Sequence, residues 1–546
     1  MTGTTSEPEI TPRTRAKARH ILDNYYIGPA RDDDVLEIWG YTSEISYAPG
    51  DRVELHVSTT ADEWEFEIGR DGAAYHPELT KTGLKGVHCT TPNDCSVTGC
   101  GWPVAYEFTI PQEWAPGGYL ITFRARRDGE IVEEHHVILL RSEKDTPPPY
   151  VLVCATGTWL AYNCWGGSNH YEGITGPEGN AFSPVVSTQR PWSRGFCKLP
   201  NGAPRALPET PPRPGEMVRY PYMEWAYAYG YSKKYASAGW ASYERHFARW
   251  AEAEGYQFDV IALHDLHRDP DLLNRYACAV FVGHDEYWSA EMRNAVDAYV
   301  EGGGNVARFA GNFLWQTRIE NEGKTQICYK YLADQDPFAG SDKEHLVTGA
   351  FDVAPVNRPG ALTFGVNALS GVYAGLGNCV GGGPGGFTVY RADHWAFNGA
   401  NLGYGDVLGA QSRIFGYEVD GLDYRFDDGL PYPTCGDGAV PEITILGMGL
   451  ATNIEADHGI WGETLYIGDA DAAFKAATLF GDVTPQTLDA CHRGNGMIVS
   501  WQRGKGQIFT AATCEWVAGL IRRDVQVGQV TRNVLDRFEK RAGTYG

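Results

Sequence analysis

Four short apolar runs in the middle of the chain each end in side chains of kinds that do chemistry. After YVLVC (Tyr150 to Cys154) come Tyr162, Asn163, Trp165, His170 and Tyr171. After DVIAL (Asp259 to Leu263) comes His264-Asp265-Leu-His267, and after CAVFV (Cys278 to Val282) comes Gly283-His284-Asp285-Glu286-Tyr287-Trp288. After NVARF (Asn305 to Phe309) comes Ala310-Gly311-Asn312-Phe313. Phenol and carboxylate oxygens are hard donors that suit a hard, highly charged ion such as ferric iron. An ion held by three protein oxygens keeps open positions, where it polarises a carbonyl and lowers the pKa of bound water. His284, two residues from Glu286, is placed to carry protons or to orient a ligand.

Each residue also has a plain structural reading. Asp285 could cap the following helix, with Glu286 favoured near its N-terminus. His284 could be a satisfied buried imidazole, Tyr162 and Tyr171 half-buried aromatics among 31 tyrosines, and Asn312 a turn residue. Their shared place at strand ends favours a site. Other chemistries fit less well. No G-x-S-x-G elbow follows a strand, since GGSNH at 166–170 does not match and Cys154 lies inside its run. No phosphate-binding loop stands between a strand and a helix, and GGGPGG at 381–386 does not supply one. Zinc through His264, His267 and His284 is open but unusual. A glycoside hydrolase pairing Glu286 with Glu418 or Asp420 also stays open, as does a non-catalytic carbohydrate- or ligand-binding protein.

The elements that must position these residues are legible in the pattern. Runs apolar on both faces, alternating with helix-period segments (Ser242 to Glu254 and Ala290 to Glu301), predict parallel strands of an α/β sheet. Ser289 is a good N-cap for the second helix and Gly302-Gly303-Gly304 its stop. In an open parallel sheet, ligands bind beyond the carboxyl ends of the strands. Residues 35–142 differ: alternating strands separated by Pro-Gly-Asp, Arg-Asp-Gly and Pro-Gly-Gly turns, without a helix, predict an antiparallel β-sandwich. The organisation expected is a polar arm at 1–22, a β-sandwich domain at 23–146, and an α/β catalytic domain at 147–546 with a mainly parallel sheet in amidotransferase-like or flavodoxin-like layering. SEKDTPPP (Ser142 to Pro149) is a stiff connector. Residues 334–450 are a Gly-rich, irregular excursion. Strands are expected again at Gly496 to Trp501 and Gln507 to Thr510, and helices at Glu515 to Arg522 and Val530 to Arg541.

Composition excludes several classes. At ~100–200 residues per domain, 546 residues allow two to four domains. No apolar run is long enough to span a membrane. The 46 basic and 69 acidic side chains leave a net charge of −23, which repels phosphate backbones and anionic membranes. Nucleic acid and membrane are therefore poor partners. The first twenty residues carry no apolar leader segment, and most cysteines sit singly in apolar runs, which predicts the cytoplasm. Cys89, Cys95 and Cys100 beside His88 lack a paired short zinc spacing and are expected in a surface loop.

AYNCWGG, SNHY, GHDEYWS and FAGN resemble segments of the catalytic large subunit of the N,N-dimethylformamidase family. GYTSEISYAPGDRV and IPQEWAPGGYL are similar to that family's N-terminal region. The resemblance implies an amidohydrolase acting on a carbon–nitrogen bond, with mononuclear iron, Fe(III), bound by two tyrosines and one glutamate. By motif these are Tyr162, Tyr171 and Glu286, with fallback tyrosines between Tyr220 and Tyr235. His284 then moves protons, Asn312 steadies an oxyanion or substrate, and Glu418 matches a further catalytic carboxylate. Trp165, Trp288 and Phe313 are expected to wall the pocket for a small, N-alkylated or aromatic amide. The chain is shorter than that large subunit, and Arg190 to Trp240 looks unlike it. Homo-oligomerisation and a small companion subunit are implied as partners.

Overall fold

The computed structural model describes residues 28–29, 33–143, 146–173, 183–207, 221–371, 373–374, 385–450, 467–491 and 493–541. The polar arm expected at 1–22 lies outside them.

The N-terminal region is β-rich. A three-stranded sheet (Ile38–Thr42, Arg52–Thr59, Val104–Thr109) faces a five-stranded one (Ser46–Tyr47, Glu130–Leu140, Gly117–Arg127, Glu63–Asp71, Tyr75–Lys85). Pairing is antiparallel except where Ser46–Tyr47 joins Glu130–Leu140. Alternation does the sorting: Trp64, Phe66 and Ile68 share one core with Ile121 and Phe123, and with Val53, Leu55 and Val57 of the other sheet. One short helix, Cys95–Thr98, interrupts a segment in which none was expected.

A larger domain follows, built on one nine-stranded sheet. Its strands are β1 (Tyr150–Cys154), β2 (Phe258–Ala262), β3 (Cys278–His284), β4 (Asn305–Gly311), β5 (Phe387–Val389), β6 (Val407–Leu408), β7 (Thr444–Leu450), β8 (Asn495–Arg503) and β9 (Gly506–Ala511). The spatial order is β2-β1-β3-β4-β9-β8-β7-β5-β6. The first five in that order are parallel neighbours; the rest pair antiparallel. The expectation of a mainly parallel sheet is corrected to a mixed, partly parallel one. The physical reason is at Gly504-Lys505, a two-residue connection between β8 and β9 that permits only an antiparallel hairpin. The segment expected to be irregular, 334–450, supplies three strands, β5, β6 and β7, to the far edge of this sheet.

Burial on both faces explains the continuous apolar runs. Tyr150, Leu152 and Cys154 of β1 feed one core, while Val151 and Val153 feed the other. Helix α1 (Thr156–Tyr162) follows β1 directly. Helices α2 (Glu244–Ala253) and α4 (Val525–Phe538) pack into the first core through Phe247, Ala248 and Ala251, and through Val527, Val530 and Val534. Helix α3 (Ala290–Glu301) covers the opposite face with Met292, Ala295, Val296, Tyr299 and Val300, the spacing of one helical stripe. Ser289 caps it by accepting a bond from the Met292 amide at 3.2 Å, and Gly302 ends it. The last helix begins five residues earlier than its apolar spacing suggests, because Asp524 accepts bonds from the Gln526 and Val527 amides.

Candidate metal centre

The strand order reverses between β2-β1 and β1-β3, so the loops leaving β1 and β3 diverge and open a crevice at their carboxyl ends. Tyr162 arrives there at the end of α1, and His284 ends β3 with Glu286 two residues on. Alternation then divides the segment. His284 and Glu286 turn into the crevice, whereas Asp285 points the other way and takes two bonds from Arg308 at 2.6 and 2.7 Å. Arg308 also meets Asp420 at 2.8 Å, so Asp285 belongs to a buried ion triad rather than to a helix cap.

Glu286 is fully buried and its carboxylate is gripped by neutral donors. The Tyr162 hydroxyl donates to Oε2 at 3.0 Å. The Tyr171 hydroxyl lies 2.8 Å from Oε1 and 2.7 Å from Oε2. The Trp315 indole donates to Oε1 at 2.7 Å, and Tyr287 donates to the Tyr171 oxygen at 2.9 Å. Burial, then the charge of Glu286, pushes both the Tyr162 and Tyr171 phenols far above their usual value, so both keep their protons and donate. Burial alone would raise Glu286. The bond and charge of His284, with the charge of Lys330, outweigh it and hold the carboxyl below its usual range.

His284 is the hub of the second half. Its Nδ1 faces the Ser237 carbonyl at 2.8 Å, and a carbonyl only accepts, so Nδ1 carries hydrogen. Its Nε2 lies 2.5 Å from Glu418 Oε2 and 3.3 Å from Glu286 Oε2. Burial opposes charge on the ring, but the two carboxylates outweigh it, led by Glu418, and the imidazolium is favoured well above the ordinary histidine range. Asn312 donates from Nδ2 to Glu418 at 2.9 Å, with its backbone in the left-handed region at φ 65° and its amide bonded to Asp420 at 2.6 Å. Cys514 completes the group: the donor atoms of His284, Glu418 and Cys514 lie within 4.8 Å of one another, all buried. Among the described residues this is the cluster of His, Cys, Asp and Glu donors able to hold a metal.

Six of the predicted residues therefore converge: Tyr162, Tyr171, His284, Glu286, Asn312 and Glu418. The three pocket aromatics do not join them. Trp165 packs with Trp39 and Trp102 against the N-terminal region, at ring distances of 5.7 and 5.8 Å. Trp288 and Phe313 pack edge-to-face with each other and with Phe364 in the core on the opposite face of the sheet. His264 bonds Thr156 and His267 bonds Ser289, away from His284, which removes the three-histidine zinc arrangement. Glu286 and Glu418 both aim at one imidazole nitrogen, His284 Nε2, at 3.3 and 2.5 Å. Cys514, Trp315 and Tyr287 were missed. Cys514 had a usable signal, for it follows β9, the fifth parallel strand, whose end meets the same crevice.

A family model described as N,N-dimethylformamidase beta subunit-like, C-terminal, matches residues 60–528. The chain belongs to this family. No curated protein matches it. Among solved structures, the PKD domain of the human VPS10 domain-containing receptor SorCS2 aligns at 13% identity over 23% of this chain and 83% of that chain, with a TM-score of 0.13, too slight a likeness to bear on the fold. The family match corrects the resemblance drawn from the motifs: it names the beta subunit, not the large catalytic subunit. The classification as an amidohydrolase of carbon–nitrogen bonds rested on that large subunit and falls with it. The His284, Glu418 and Cys514 cluster contains no tyrosine, which corrects the expectation of a tyrosine ligand there. Among the described residues, no helix is long and apolar enough to cross a membrane.

Proposed function

We propose that the crevice around Glu286 and His284 is a metal-dependent site. The observation that carries this reading is the convergence of a buried imidazole, a buried carboxylate and a buried thiol, with Glu286 3.3 Å from the same imidazole. Buried charges are expensive unless paired or bound to a metal. The donor set fits such an ion, because the site offers imidazole nitrogen, thiol sulfur and carboxylate oxygen within reach of one another. Imidazole and carboxylate donors suit iron, among other first-row metals. When bound, the ion would polarise a small polar ligand at an open position.

The chain's own residues do the rest. His284, Glu418 and Cys514 would hold the ion, with Glu286 beside them. Tyr162, Tyr171 and Trp315 hold the Glu286 carboxylate in one orientation. In the metal-free site the His284–Glu418 pair holds a proton at Nε2, which a metal ion taking that nitrogen would displace. Asn312 keeps Glu418 turned toward that proton. The family description names a subunit, and we read the chain as one component of a larger assembly, with copies of itself or a companion chain. Its described cysteines are free thiols, in keeping with a reducing, cytoplasmic setting.

Metal analysis tests the reading. Protein produced with iron supplied should carry stoichiometric metal, and Glu286→Gln and His284→Ala should lose most of it while staying folded. A wild-type chain that neither purifies with metal nor takes it up on titration removes the proposal.

A further inference from the structure

One buried charge beside this site has no assigned partner. Lys330 is 2% exposed, and its ammonium has no hydrogen-bond acceptor. It sits 3.4 Å from the centre of the Tyr171 ring, 5.3 Å from Trp315, 5.1 Å from Tyr331 and 5.8 Å from Tyr287. Its backbone is held in the left-handed region at φ 53°, which a lysine adopts only under constraint. Strain and an unpaired buried charge both destabilise the fold, and such features persist where a site requires them.

The geometry says what the charge faces. Two walls of this aromatic cage, Tyr171 and Trp315, are the same side chains that hydrogen-bond the Glu286 carboxylate. A single ring therefore separates the ammonium from the carboxylate. The other nearby cation, His284, is claimed at 2.5 Å by Glu418. Besides His284, which Glu418 and Glu286 share at 2.5 and 3.3 Å, Glu286 receives only neutral donors at short range. Lys234 approaches the Tyr171 ring at 4.7 Å but is only half-buried.

Resting on the metal-site reading above, we propose that Lys330 is the counter-cation of Glu286: a positioning residue whose caged ammonium balances that carboxylate across the Tyr171 ring and opposes the entry of a metal cation. Burial drives the amine down to about 8, and the charge of Glu286 is the leading influence holding it up.

The test is a double-mutant cycle on the metal-stripped full chain, followed by thermal melting. Lys330→Met and Glu286→Gln should each lower the melting temperature, and the double variant should melt well above the sum of the two losses. Lys330→Arg should recover part of the loss. If Lys330→Met fails to fold while the double variant folds, the coupling is equally established; failure of both, or additive losses, overturns it. A calorimetric titration with zinc ion provides the second readout. Removing the fixed positive charge should tighten binding by about tenfold or more, while Lys330→Arg stays near wild type. Equal or weaker binding by Lys330→Met overturns the proposal. If no variant and no wild-type protein binds metal, the metal-site reading fails, and the melting cycle alone still decides the role of Lys330.

Discussion

Glu244 offers the sharpest quantitative test, because it supports the helix that carries Tyr162. It stands in the first turn of α2 and is 1% exposed. Its Oε1 accepts bonds from the Ala155 amide at 3.0 Å and the Trp159 indole at 3.1 Å, tying β1 and α1 together. Its Oε2 has no hydrogen-bond partner. Burial lifts this carboxyl from 4.5 to about 7, against the opposing pull of the two donors. The folded state therefore keeps a proton that the unfolded chain releases between those values. Stability falls as pH rises through that window and levels off above it. With about 1.4 kcal/mol per pH unit, ionised Glu244 costs about 3 kcal/mol above pH 7. Glu244→Gln retains the acceptor oxygen and cannot ionise. Its advantage over wild type in urea denaturation should approach that figure at pH 8 and vanish below pH 4.5. An advantage that does not change with pH, or a variant less stable at pH 8, would refute the reasoning.

Two further outcomes follow from the same neighbourhood. Arg308→Met leaves Asp285 and Asp420 buried without their shared cation, so chemical denaturation should show a loss of about 3–5 kcal/mol; the variant Asp285→Asn, which keeps one ion pair, should lose less. Gly283 precedes His284 at φ 79°, and a Cβ there would meet the Tyr243 ring at 2.4 Å. Gly283→Ala should therefore cost at least about 1–2 kcal/mol from the left-handed backbone alone, measurable as a lowered melting temperature, with metal uptake reduced because His284 shifts.

Local signals were strong wherever one physical cause dominated. Two-sided apolar runs marked β1 to β4 because a strand covered on both faces has no polar side to show. Ser289 and the glycines after Glu301 marked both ends of α3, since caps act through neighbouring backbone. The antiparallel half of the sheet was hidden because β5 and β6 are only three and two residues long and the partners of β7 lie far off in the chain. The aromatic pocket was misjudged for a related reason. Trp165, Trp288 and Phe313 stand next to site residues in sequence, but successive side chains leave a strand or loop in opposite directions, and these three turned into cores.

The order of residues is therefore informative locally: which segments are strands or helices, which residue types stand at strand ends, and that His284 and Glu286 stand two residues apart. Spacing along the chain governs these directly. Which distant groups meet is settled by long-range pairing. Glu418, Cys514, Trp315 and Lys330 come from four separate segments, and each reaches the crevice through pairings and turns far from its own neighbours. Whether a carboxylate there is gripped by phenols, balanced by a lysine or shared with an imidazole depends on distances of a few ångströms between such segments, which no spacing along a chain specifies.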